Sequence, residues 1–171
     1  LALKYEGEAK EVYTVSDIAV NNSNNIEDGE MYVIYNVNAG KYLYASGNSV
    51  MSGNSYLSNG ELNHNYVWRL KKTSSNMYFI ESMGATGYYM QSSQVNNSRV
   101  PLTVVPGNSD YFTVSTSGNY LRFLSNRYGY YLSVNNSTVC GHYSNNNQNR
   151  RNFYLYKVEK KSVSTNVTHQ E

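Results

Sequence analysis

Two polar loops hold the side chains best suited to chemistry. The first places Tyr56, Asn63, His64 and Asn65 shortly ahead of Trp68. The second gathers His142, Tyr143, Asn145, Asn147 and Asn149 ahead of Phe153. A tyrosine ring offers an apolar face with a hydroxyl at its rim, which suits the C–H face of a sugar ring. An asparagine amide both donates and accepts, as sugar hydroxyls require. Asn-rich loops also serve turns, and tyrosines also pair across strands. The grouping of both residue types in one loop favours ligand binding over either structural use alone.

Other chemistries are poorly supplied. Hydrolysis of a glycosidic bond needs two carboxyl groups set across it. Between residues 29 and 159 the acids are Glu30, Glu61, Glu81, Asp110 and Glu159, scattered along the chain. They read as surface charges, so no catalytic residue and no enzymatic activity are expected. His64, His142, His169 and Cys140 match no zinc-ligand spacing. Cys140 and His142 share one face of a strand, but two ligands do not make a site. No metal and no cofactor are expected. The lone cysteine excludes a disulfide within the chain.

The net charge is +2, from 14 basic and 12 acidic residues, without a basic stripe. Nucleic acid is therefore not an expected partner, because phosphate contacts supply most of that affinity. No apolar run approaches the ~20 residues that span a bilayer, so membrane insertion is not expected. The Asn-x-Ser/Thr triplets at Asn21, Asn96, Asn135, Asn136 and Asn166 are expected by chance in so Asn- and Ser-rich a chain. The 19 tyrosines, the Asn and Ser content and only 15% charged residues fit an extracellular or cell-surface protein.

The elements that position these loops repeat three times. Aromatic and aliphatic runs occur at "MYVIYNV" (31–37), "MYFIES" (77–82) and "YLRFLS" (120–125). Each is followed by a glycine, Gly40, Gly87 or Gly129, spaced by 47 and then 42 residues. Next come Tyr42-Leu43, Tyr89-Met90 and Tyr131-Leu132, then a polar stretch, then "VWRL" (67–70), "YFTV" (111–114) or "FYLY" (153–156). The runs are short, rich in Tyr, Val, Ile and Phe, and bounded by Gly, Asn and Ser, which predicts strands. Period-two pairs put Tyr32 with Ile34, Tyr78 with Ile80 and Leu121 with Phe123 on one face. Trp68 with Leu70, Phe112 with Val114 and Phe153 with Leu155 do the same. Leu43, Met90 and Leu132 should face the shared core. One unit cannot bury its apolar face alone, whereas three can close a barrel.

Three units of strand, Gly turn, Tyr-Leu strand, polar loop and aromatic strand are similar to the β-trefoil. "GEMYVIYNVNAGKYLYA" closed by "YVWRLKK" resembles the ricin-B-like modules of bacterial surface and secreted proteins. That resemblance implies sugar binding at up to three shallow pockets, one per repeat. The family carries Gln-x-Trp in the last strand of each repeat. The corresponding triplets here are Tyr66-Val67-Trp68, Asp110-Tyr111-Phe112 and Arg151-Asn152-Phe153. Where the family's galactose pocket uses an Asp after the first strand, this chain has Asn36 and Asn38, then Ser82, then Ser125-Asn126. The "GKYL" hairpin is also similar to fascin-like trefoils, which implies a protein-interaction alternative of fascin or inhibitor type.

The expected architecture is thus all-β, a β-trefoil of three pseudo-symmetric four-stranded repeats with a short N-terminal extension. Residues 1–28 are expected to be an extension or linker, packed outside the trefoil or extended, and nothing in the sequence pairs them with later segments. The trefoil spans 29–159, in repeats of about 29–74, 75–117 and 118–159, and 160–171 is expected to be a tail or linker. The chain reads as one module of a larger protein. The expected partner is a glycan, and the expected contacts are Asn36, Asn38, Tyr44, Tyr56, Asn63, His64, Asn126, His142, Tyr143 and Asn147.

Overall fold

The computed structural model describes residues 2–6, 10–163 and 166–170. Within the expected extension and tail, residues 1, 7–9, 164–165 and 171 lie outside the described residues, as does the side chain of His169. The N-terminal segment carries β1 (Ala2–Glu6) and β2 (Lys10–Val20). The first repeat carries β3 (Met31–Asn36), β4 (Lys41–Ser46) and β5 (Ser49–Gly53). A small hairpin of β6 (Leu57–Ser58) and β7 (Glu61–Leu62) follows, then β8 (Trp68–Ser74). The second repeat holds β9 (Met77–Ser82), β10 (Tyr89–Met90), β11 (Leu102–Thr103) and β12 (Phe112–Ser117). The third holds β13 (Tyr120–Ser125), β14 (Tyr131–Asn135), β15 (Thr138–His142) and β16 (Phe153–Val163), and β17 (Asn166–Gln170) ends the chain.

Six strands close a ring. β3 pairs with β8, β8 with β9, β9 with β12, β12 with β13, β13 with β16, and β16 with β3, all antiparallel. The hairpins β4–β5, β10–β11 and β14–β15 are the second and third strands of each repeat. Each barrel strand sends its predicted pair inward. Tyr32, Ile34, Trp68, Leu70, Tyr78, Ile80, Phe112, Val114, Leu121, Phe123, Phe153 and Leu155 are all buried in one cluster. Leu43, Met90 and Leu132 join it from the three hairpins. Each such side chain contributes on the order of 1.5–3 kcal/mol through burial, which is why a chain this polar still folds.

The three repeats are related bond for bond. After the first strand of each, the N–H of Val37 donates to the Asn152 carbonyl at 2.9 Å. The equivalent bonds run from Met83 to Val67 at 2.9 Å and from Asn126 to Tyr111 at 3.1 Å. Each bond ties one repeat to the residue just before a final strand. The turn glycines stand at φ +66°, +83° and +71° for Gly40, Gly87 and Gly129, a region that costs other residues roughly 1–2 kcal/mol.

The N-terminal segment corrects an expectation. β2 pairs with β16 from Val20↔Leu155 to Lys10↔Val163, with a register shift between Tyr156 and Val158, and β1 pairs with β17. Thus neither the extension nor residues 160–163 and 166–170 are free of partners. The reason lies in β16, whose other barrel neighbour β13 meets it only at Leu121↔Phe153, which leaves that edge open from Leu155 onward. The exposed length needs another strand, and "VYTVSDIAV" supplies β-branched residues for one. Val33, Val67 and Val158 form a second apolar cluster, with Tyr13, Val15, Tyr56 and Leu62 packed against it. Residues 21–28 are also anchored. Ser23 N–H donates to Thr116 Oγ1 at 2.8 Å, and Ile26 enters the main core.

Candidate functional site

The β2 strand and the long loop of the first repeat enclose a groove of about 530 Å³. The loop folds back as the β6–β7 hairpin, turned by Asn59 at φ +52° and Gly60 at φ +77°. This is the Asn-Gly combination that a two-residue hairpin turn favours. A short 3-10 turn, His64–Tyr66, follows, with the Asn63 side chain accepting from the Asn65 N–H at 3.0 Å. Asn63 N–H in turn donates to the Tyr56 carbonyl at 2.9 Å. Asn63 therefore shapes the loop and does not line the groove.

Tyr13, Tyr56 and His64 supply rings to the groove walls. Tyr13 meets His64 edge-on, with centroids 4.6 Å apart, and Tyr56 meets Tyr42 edge-on at 5.1 Å. Both contacts fix the ring planes before any ligand arrives. Leu57 is half exposed beside them, and Glu11 and Glu61 add carboxylates. Lys160 Nζ lies 2.8 Å from Glu11 Oε1. The hydrogen bond from Lys160, then its charge and the Tyr13 hydroxyl, hold the Glu11 carboxyl below its ordinary pKa. The groove thus presents rings, a fixed anion and a hydroxyl.

A second cavity, a crevice of about 380 Å³, lies where the first repeat meets the third. Asn38, Ala39, Asn136, Asn147, Asn149 and Arg150 line it. Asn149 Nδ2 donates to Asn38 Oδ1 at 2.8 Å across the junction. The structure therefore unites Tyr56 with His64 in one place and Asn38 with Asn147 in another.

The other expected contacts lie elsewhere. Asn36 is 0% exposed. Its Oδ1 accepts from Ala39 N–H and its Nδ2 donates to the Arg150 carbonyl, at 2.9 and 2.8 Å. This corrects its assignment: both faces of the amide are used in holding a turn and no part reaches solvent. His142 is also buried, beside Arg151, and its pKa is lowered by burial first and then by Arg151 and Arg150. It is corrected to an interior residue. Tyr44 lies against Tyr66 at 4.9 Å, outside both cavities. Asn126 is exposed in a turn of the third repeat. Tyr143 is 62% exposed and near Tyr130, at 5.9 Å, while its N–H donates to Asn96 Oδ1 at 3.1 Å.

The positions that match the family's Gln are all buried, yet differ in chemistry. Tyr66 packs on Tyr44. Asp110 accepts from Gly107 N–H at 2.7 Å and pairs with Arg127 at 3.2 Å. The Arg151 guanidinium lies 4.3 Å from the Tyr131 ring centroid and donates to the Ser144 carbonyl. All three lock a loop against the barrel by different means. Tyr13, Thr14 and Glu11 were missed as site residues because the strand carrying them was read as an extension. Its β-branched run was the available signal. Among the described residues no group of three His, Cys, Asp or Glu side chains comes together.

No protein-family model and no curated protein sequence matches the chain. Solved structures do. The Polyporus squamosus lectin, bound to the human-type influenza-binding epitope Neu5Acα2-6Galβ1-4GlcNAc, aligns with a TM-score of 0.64 and 16% identity, over 77% of this chain and 50% of that one. PSL1a aligns with a TM-score of 0.62 and 17% identity, over 77% and 48%. The chain thus spans about half the length of these two proteins. The designed three-fold symmetric protein ThreeFoil aligns with a TM-score of 0.60 and 19% identity, over 73% of this chain and 96% of that one. With its closed six-stranded ring, three capping hairpins and three equivalent turns, the chain folds as a β-trefoil.

Proposed function

We propose that the protein is a non-catalytic carbohydrate-binding module of lectin type, part of a larger secreted or cell-surface protein. The observation that carries this reading is the groove walled by Tyr13, Tyr56 and His64, with carboxylate and hydroxyl groups beside the rings. Stacking faces with hydrogen-bonding groups at their rim are what a sugar ring needs. The lectin among the structural neighbours and the ricin-type resemblance support the same reading at the level of the scaffold. Glu11 is poorly suited to act as a general acid there. A general acid needs a raised pKa, and its ion pair with Lys160 lowers that of Glu11.

The groove is open and shallow, so affinities of about 0.1–1 mM per site are expected, strengthened when two sites engage one glycan. A glycan array probed with the whole chain tests the reading. Binding that is lost in Tyr56→Ala supports it, and a blank array at high protein concentration sinks it.

One observation favours a second reading, a protein-binding trefoil. Among the described residues β2 pairs with β16 alone, so its other edge is free to accept an extended peptide. A partner whose capture survives glycosidase treatment and is lost in Val12→Pro would favour it over sugar binding.

A further inference from the structure

The crevice between the first and third repeats differs from the groove in character. Its lining is four asparagines, one alanine and one arginine, with neither a carboxylate nor an aromatic ring. Asn136 and Asn147 sit at φ +59° and +55°, conformations that asparagine tolerates better than most residues. The Asn147 side chain makes no capping bond to the turn it precedes. The four amides carry many more donors and acceptors than the single Asn149–Asn38 bond uses.

The segment that supplies four of the six lining residues carries charge of one sign. From Tyr111 to Val158 the sequence contains Arg122, Arg127, Arg150, Arg151 and Lys157, and no Asp or Glu. Arg127 is paired with Asp110 and Lys157 with Glu27. Arg122 is held by Asn152 and Gln148, and Arg151 by the Ser144 carbonyl, all neutral partners. Among the described residues Arg122, Arg150 and Arg151 form no ion pair. Neighbouring groups register this field, since both Arg150 and Arg151 lower the pKa of His142, behind the larger effect of burial. Uncompensated guanidinium charge beside open amides attracts an anion that also carries hydroxyls.

We propose that this crevice is a second glycan subsite, selective for a sugar bearing a carboxylate. The acid meets Arg150, and the ring hydroxyls meet Asn38, Asn136 and Asn147. The proposal rests on the carbohydrate-binding reading but uses none of the groove's residues. A single-stranded nucleic acid fits less well, because it needs a track of cations with rings for its bases, and the crevice offers one cation and no ring.

Methyl β-glucuronide and methyl β-glucoside differ only in carboxylate against hydroxymethyl, and titrating each into isotope-labelled protein tests the proposal by NMR. The glucuronide should shift the backbone amides of Asn38, Asn136, Asn147 and Asn149. It should bind about fivefold more tightly than the glucoside, the worth of one exposed ion pair. That preference should vanish at about 1 M salt, where the screening length falls to ~3 Å. Arg150→Gln should abolish the preference, and Asn147→Gly, which adopts the positive φ freely at this exposed position, should weaken both sugars without disturbing the fold. Equal affinities, a preference that survives Arg150→Gln, or shifts confined to the groove of Tyr13 and Tyr56 would each overturn the crevice assignment while leaving the glycan reading in place. A short oligonucleotide that shifts the same amides at lower concentration than the glucuronide would overturn it in favour of nucleic acid. Absence of sugar binding at both cavities defeats the proposal and the glycan reading together.

Discussion

The indole N–H of Trp68 donates to the main-chain carbonyl of Leu43 at 3.1 Å inside the core. Trp68 opens the last strand of the first repeat and Leu43 lies in its hairpin. One side chain therefore fills the barrel and also fastens the hairpin that caps it. Trp68→Ala should cost about 3–5 kcal/mol through the cavity it leaves. Trp68→Phe should cost about 1–3 kcal/mol, because the Leu43 carbonyl loses its donor. Urea denaturation measures both, and a loss below about 1 kcal/mol for the alanine variant contradicts the core assignment.

Val33 faces away from the barrel interior, yet it is 0% exposed, because Tyr13 and Val15 of β2 pack on its cluster. Val33→Ala should cost about 2 kcal/mol in the whole chain. In a chain that begins after Val20 the same substitution should cost less, since Val33 would keep Val67 and Val158 but lose the cover of Tyr13 and Val15. Thermal or urea melts of the four proteins form a cycle, and equal costs in both backgrounds would show that β2 does not cover Val33.

Tyr13→Ala and Tyr56→Ala should each weaken glycan binding about tenfold, the scale of one aromatic platform. The structure separates them from Tyr143, which lies in another loop and outside the groove. Tyr143→Ala should leave groove binding unchanged while far-ultraviolet circular dichroism confirms that all three variants fold. If Tyr143→Ala removes binding and Tyr13→Ala does not, the site belongs to the third repeat.

His142 should make stability depend on acid. Its pKa is lowered in the folded protein, by burial first and by Arg151 and Arg150 next, against about 6.5 in an unfolded chain. The unfolded state thus binds the proton more readily. The contribution is present above about pH 6.5 and is lost as pH falls through the folded value. Melting temperatures should decline over that window, and His142→Asn should flatten the decline. An unchanged slope in that variant would place the acid sensitivity in another group.

Much of the architecture was legible because it is written locally. The pairs Tyr32 and Ile34, Phe112 and Val114, and their four counterparts declare a buried face by alternation alone. The glycines at 40, 87 and 129 declare the turns. Repetition then made three weak signals into one strong one. The site was legible only in part. Tyr56 and His64 stood out as a ring-bearing loop, whereas Asn36 matched a family position and proved to be interior.

What the sequence by itself determined is the barrel, since period-two hydrophobicity and turn chemistry act between near neighbours. What only the tertiary structure decided is which surface residues meet. Tyr13 reaches His64 because β2 follows β16 beyond the barrel, and Asn38 reaches Asn149 because the ring closes repeat three onto repeat one. Neither contact has a local signature: sheet closure brings distant, individually ordinary side chains together, and alternation records only which way each one points.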